Sequence, residues 1–232
     1  MNSPSRSTET RGNTRSIALL SIFVAVILVL TFTPIGFLNL VVIKATIIHI
    51  PVIIGSVLFG PKKGAVLGLF FGAGSLFVNT MTPSLLSFAF SPFIPVPGME
   101  HGSPWALVIC FVPRILVGVV PYYVYRLFQG LFRKTNGALR PLSLLLAGIL
   151  GSFTNTILVM GMIFVVFRNA YAVAKEIPVD AVLGVVLGII GTNGVPEAIV
   201  SAVVVPAICL PLLKLLGSPD ALTGATRQKG AE

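Results

Sequence analysis

The sequence predicts an all-α membrane protein, a bundle of six transmembrane helices, and three observations carry that prediction. Hydrophobic residues make up 55% of the 232-residue chain and charged residues only 10%. Soluble domains carry about 25% charged residues, so the polar surface needed to cover a water-facing fold is missing. No charge occurs between Arg15 and Lys44, between Lys63 and Glu100, or between Arg140 and Arg168. Each gap exceeds the ~20 apolar residues that cross a bilayer as a helix. The runs are continuous rather than alternating at period two, which argues against a transmembrane barrel.

Six helices are expected at roughly 16–33, 46–59, 64–80, 104–131, 140–167 and 193–216. The first is preceded by arginines, as in a signal peptide. Its end, TFTPIGF, offers no small-residue cleavage site, and the run is long for such a peptide, so it is read as a retained helix. The second is short for a span and is expected to be tilted or partly re-entrant. Pro34-Ile35-Gly36 ends the first helix, Gly60-Pro61-Lys62-Lys63-Gly64 makes a tight turn, and SPFIPVPGMEHGSP (91–104) is a Pro-rich loop. The membrane domain is therefore 16–216. The flanking segments 1–15 and 217–232 are polar and Gly/Ser/Thr-rich, with too few apolar residues to fold. Cys110 and Cys209 fall at different depths on different helices, so no disulfide is expected between them.

Charge orients the bundle. With both ends cytoplasmic, the inner segments hold Arg6, Arg11, Arg15, Lys62, Lys63, Arg126, Arg133, Lys134, Arg140, Lys214, Arg227 and Lys229, and the outer segments only Lys44, Arg168 and Lys175. That is a strong positive-inside bias. The net charge of +9 thus reads as topology. Nucleic-acid binding is a poor alternative, because the basic residues are dispersed over short segments with little aromatic interleaving.

A layer of polar residues follows from helical rise. Counted from the cytoplasmic helix ends at 1.5 Å per residue, Asn79 lies about 24 Å up, Asn155 about 22 Å, Arg114 about 18 Å and Glu197 about 25 Å. Four polar side chains on four helices share one slab in the outer half of the membrane. A buried arginine costs about 2.5–3.5 kcal/mol on insertion scales and usually faces a cavity or a partner. One reading is a pocket open to the outside, with Arg114 receiving an anionic group in a forked geometry. Asn79 and Asn155 would then supply amides and Glu197 an acceptor for hydroxyls. The other is an Arg114–Glu197 ion pair that ties two helices together, and both can hold. Asn193, just before Glu197, joins the candidates.

Pro113 and Pro121 break backbone bonding in the fourth helix, as in helices that line transporter sites. Trp105 at the outer boundary is read first as an interfacial anchor and second as a candidate ligand contact. Asn39 and Lys44, after the first helix, are candidates for a lid or for plain solvated loop. His49 and His101 are the only histidines, and neither has metal-ligand spacing around it. Gly64, Gly68 and Gly72 recur every fourth residue and are read as a face for close packing inside the bundle. Ser21 and Ala25, with Ala18 nearby, form a small-residue face on an otherwise plain first helix. That face is free to receive another membrane subunit.

In combination these features resemble the S components, the substrate-binding membrane subunits of energy-coupling factor (ECF) vitamin transporters. The features that carry the resemblance are six helices with cytoplasmic ends, the turn LFGPKKGAVLG, the small-residue face on the first helix, and NGVPEAIVSAVVVP, read as opening the sixth. They cover roughly residues 15 to 216. The overall look is closest to the pantothenate carriers; hydroxymethylpyrimidine, riboflavin and folate carriers share the scaffold. The resemblance implies capture of a water-soluble vitamin from outside at a bacterial cell membrane. It also implies a transmembrane coupling subunit and two cytoplasmic ATPases that use the ATP. The pocket would be formed by the outer ends of helices four to six and the loop after the first. The coupling-subunit contact would map to Ala18, Ser21 and Ala25, with serine departing from the family's paired alanines.

No G-x-x-x-x-G-K-[ST] run occurs, so no ATP cradle of that kind, and no other cofactor, is expected in this chain. A stand-alone secondary transporter is the rival reading, although six spans without a detectable internal repeat speak against it. An enzyme would need a nucleophile–base or metal constellation in the slab. Two isolated histidines and one buried carboxylate do not supply one.

Overall fold

The computed structural model describes residues 5–33, 37–40, 43–132 and 139–216. Six helical membrane segments form the bundle. The first is α1 (Ser5–Phe32). An antiparallel hairpin of β1 (Phe37–Leu40) and β2 (Ile43–Thr46) follows it. Next come α2 (His49–Phe59) and α3 (Pro61–Met81). The fourth segment is split into α4 (Trp105–Val117) and α5 (Val120–Leu131), and the fifth is α6 (Arg140–Lys175). The sixth is α7 (Val182–Ile189), a π-helical stretch Ile190–Gly194, and α8 (Val195–Leu216). Four of these segments are long and apolar enough to cross a membrane, and Ser16–Phe32 and His49–Phe59 are shorter apolar helices.

Several boundaries differ from the sequence reading, each for a physical reason. α1 begins at Ser5, inside the 1–15 segment expected to lack structure. Residues 1–4, 217–232 and the Pro34-Ile35-Gly36 break lie outside the described residues. The fifth helix was expected to end at 167, and Phe167 is indeed non-helical (φ −120°, ψ 24°). The chain then resumes as helix through NAYAVAK, rich in the alanine that favours helices. The sixth was expected to open at 193. Instead VLGVVLGI is already helical, and a π-helical stretch, IGTNG, joins it to α8 in one continuous helix. Pro196 has no N–H to donate one turn back, so the backbone there cannot keep regular α bonding.

α2 is buried at every position except Pro51. Its 11 residues rise only about 16 Å, half a bilayer. It is the short central post, with α1, α3, α5, α6 and α8 packed around it. Gly60 (φ 86°, ψ 172°) makes the reversal from α2 into α3, a conformation open to glycine, and Pro61 starts the new helix without a missing donor.

The α3 glycines do pack internally. A methyl group added at Gly64 would collide with the Gly118 carbonyl, and one at Gly68 with the backbone carbonyl of Arg114. α3 and α4 therefore touch backbone to backbone, which sets how deep Arg114 sits. The fourth segment breaks at Gly118–Val119, just before Pro121, while Pro113 stays within α4.

Two hydrophobic cores fill the bundle. One joins α2 to Leu67, Val117, Leu144, Ala147, Val205 and Cys209. The other joins Phe88, Val96 and Ile109 to Val159, Ile163, Phe167, Tyr171, Val182 and Val186. On α4, Arg114 lies between Ile109 of the second core and Val117 of the first. On α6, Asn155 and Thr156 lie between Ala147 and Val159, and on the sixth segment Glu197 lies between Val186 and Val205. The polar layer is thus the seam between two apolar cores.

Candidate functional site

The seam holds two polar clusters rather than one. The first is built from α3, the turn that follows it, and α4. Arg114 is buried, with 7% of its surface exposed. Its Nη1 donates to the Ile109 carbonyl at 2.9 Å and its Nη2 to Ser75 Oγ at 3.4 Å. The guanidinium lies over the rings of Phe90 (4.9 Å) and Phe71 (5.5 Å), where ring faces partly replace the water a cation has lost. Nε is buried with no partner. No carboxylate forms an ion pair with Arg114 among the described residues, so its charge is held by dipoles and aromatic faces alone.

Asn79 belongs to this cluster and is committed internally. Its Nδ2 donates to the Ser75 carbonyl at 2.8 Å, and its Oδ1 accepts from Ser87 Oγ at 2.8 Å. Ser87 Oγ in turn accepts the Ser84 amide at 2.8 Å, and Thr80 bonds Ser91 at 2.8 Å. These bonds pin residues 82–91 onto the end of α3 and hold Phe90 over the guanidinium. Asn79 shapes the wall, and Ser75 is the junction between it and Arg114.

The second cluster joins the hairpin, α2, α6 and α8. Glu197 Oε1 accepts the Thr46 backbone N–H at 2.8 Å, and Oε2 accepts the Thr156 hydroxyl at 3.2 Å. One turn further along α8, Ser201 Oγ bonds His49 Nε2 at 3.0 Å. The Arg114–Glu197 ion pair considered from the sequence does not form, because each charge has partners of its own. Asn155 sits beside Thr156 with its Oδ1 buried and unpartnered. Asn193 is half-buried within the π stretch.

Asn39 and Lys44, the candidate lid residues, are directly paired across the hairpin, and β2 packs against the π stretch and α8. Trp105 belongs to neither cluster. It is 56% exposed at the start of α4 and lines an open cleft of about 800 Å³ with Ser103, Met99, Arg168 and Asn169. Ala18, Ser21 and Ala25 are exposed on α1. The Ser21 hydroxyl donates to the Ile17 carbonyl at 3.1 Å. With its hydroxyl spent on its own helix, Ser21 offers outward little more than an alanine would.

The hydroxyls of Ser75, Ser87, Thr156 and Ser201 and the Phe71–Phe90 pair were not singled out from sequence, and His49 was weighed there only as a metal ligand. Serine and threonine are common in membrane helices, so only spacing marked them: Ser75 one turn before Asn79, Ser201 one turn after Glu197.

Sequence comparison agrees with this architecture. The family described as ECF transporter, substrate-specific component, matches residues 15–209. A pantothenic acid transporter PanT of Lactococcus lactis subsp. cremoris is 38% identical over 206 residues, which is 88% of this chain and 96% of that protein. A pantothenate transporter PanT of Leuconostoc mesenteroides is 30% identical over 202 residues, 85% of this chain and 91% of that protein. The chain belongs to the family of ECF-transporter substrate-specific components, multi-pass membrane proteins that bind the transported solute.

Proposed function

We propose that this S component captures pantothenate from outside the cell and delivers it to a coupling subunit and two ATPases for ATP-driven uptake. The observation that carries the substrate assignment is that both relatives, alike over most of their length, are named for pantothenate transport. The chemistry of the seam supports it. Pantothenate has a carboxylate, an amide and two hydroxyls. A buried guanidinium without a carboxylate partner is suited to the first, and its free Nε supplies a donor. Asn155, with its unpartnered Oδ1, and Asn193 suit the amide and hydroxyls. Asn39 and Lys44 on the hairpin would close the pocket from outside.

In this reading the chain is no enzyme and holds no cofactor, and the ATP is bound by its partners. Both termini face the cytoplasm, as the lysine and arginine bias requires. Ala18, Ser21 and Ala25 form the contact with the coupling subunit.

Calorimetric titration of the purified chain with pantothenate tests the substrate, together with mass spectrometry of any ligand retained through purification. Saturable 1:1 binding is expected. Retention of a different vitamin, with no heat from pantothenate, would overturn the assignment. Joint substitution Ser21→Leu and Ala25→Leu should prevent co-purification with the coupling subunit while leaving vitamin affinity unchanged. Normal assembly of that variant would move the contact to another face.

A further inference from the structure

Glu197 looks from sequence like a hydroxyl acceptor in the pocket, yet both of its oxygens are engaged within the protein. The more telling bond is the one to the Thr46 amide. Thr46 is the last residue of β2, opposite Phe37 in the register, where the hairpin joins the chain leading into α2. His49, three residues on, bonds Ser201, four residues beyond Glu197. Two ties thus run side by side from the 46–49 segment to one face of α8. A carboxylate is also the wrong group to place against an anionic solute, since like charges in a site of low dielectric repel strongly.

We infer that Glu197 is a positioning residue that anchors the base of the β1–β2 hairpin to α8 and α6, and acts on the substrate through the hairpin rather than by touching it. This rests on the proposed function only for the identity of the substrate; the anchor itself is a property of the unliganded protein. The carboxylate holds two neutral donors from separate elements, so the hairpin base, α8 and α6 move as one piece. Its removal frees the hairpin from the helices that bear Asn155 and Asn193.

Two measurements on the purified full-length chain decide it. The first is backbone hydrogen exchange across 37–46 without ligand, in the parent protein, Glu197→Gln and Glu197→Ala. Loss of one charge-assisted bond should speed exchange roughly five- to tenfold in Glu197→Ala, while Glu197→Gln, which keeps an acceptor oxygen, stays within about twofold. Unchanged hairpin exchange in Glu197→Ala would overturn the anchor. The second is pantothenate dissociation and association. Faster dissociation with association nearly unchanged is expected for Glu197→Ala, with rescue in Glu197→Gln. Thr46→Pro deletes the donor from the other side, should reproduce the effect if Glu197→Ala fails to fold, and should add nothing to it when combined. Additive losses would instead mean that Glu197 meets the ligand directly. If the parent protein binds no pantothenate, the substrate assignment fails and the exchange result still decides the anchor.

Discussion

The two halves of the polar seam are built in opposite ways. The Arg114 cluster comes from neighbours along the chain, with α3, its trailing turn and α4 supplying Ser75, Asn79, Ser87, Phe90 and Arg114. The Glu197 cluster joins residues separated by 151 and 152 positions. In the first, a cation is surrounded by ring faces, a carbonyl and a hydroxyl, with no carboxylate paired to it among the described residues. In the second, both oxygens of a carboxylate are taken up by donors from two other elements, β2 and α6. In the proposed reading the first half receives the ligand, and the second ties the hairpin base to the bundle. A buried ionisable group in a membrane segment is functional by default, but its partners decide whether that function is recognition or assembly.

The largest expected effect that tests this contrast is Arg114→Ala. It should weaken pantothenate binding by about 100-fold or more, as loss of a charged, multiply bonded contact implies. Arg114→Lys keeps the charge but loses the planar fork, so a loss of about tenfold is expected. Unchanged affinity by calorimetry in either variant would remove the distinction between the halves.

Glycine substitutions give the next effect. Gly68→Ala presses a methyl onto the Arg114 carbonyl, and Gly148→Ala places one 2.6 Å from the Ser201 carbonyl. Both should destabilise the fold by ~1–3 kcal/mol, as overpacking does, and lower the thermal midpoint. Only Gly68→Ala should also weaken anion binding beyond that loss, because it shifts the backbone that carries the guanidinium. Equal affinity losses in the two variants would count against the assignment of roles. The smallest effect is that of Asn79→Ala, which frees Ser87 and loosens the turn under Phe90. A stability cost of about 1 kcal/mol and an affinity loss of a few-fold are expected, read by thermal unfolding and titration.

Much of this was legible in the sequence, and the residues show where legibility ended. The uncharged runs, the Gly-Pro turn at 60–61, the Pro-rich 91–104 loop and the Gly64–Gly68–Gly72 face all behave as read, because each expresses a local rule of hydropathy, turn geometry or close packing. Arg114, Asn155 and Glu197 fall between residues of the two cores and Asn79 joins Arg114 through Ser75, but the four divide into two clusters rather than the single pocket expected from helical rise. Rise gives depth but not azimuth, so whether Arg114 faced Glu197 or Phe90 was beyond it. The expected start of the sixth helix at 193 falls inside the π stretch at 190–194, because glycine and asparagine are poor helix formers. Burial of their backbone groups in the membrane demands helical bonding instead.

Composition and charge spacing alone therefore determined that this chain lives in the bilayer as a helical bundle, with polar side chains at one level. Apolar solvent leaves the backbone no other economical choice, and that constraint acts residue by residue. Only the tertiary structure decided that the level divides into a cation held by neutral groups and rings and a carboxylate with both oxygens bonded. The partners of each charge arrive from distant parts of the chain, and close packing of α3 on α4 and of the hairpin on α8 determines which of them meet.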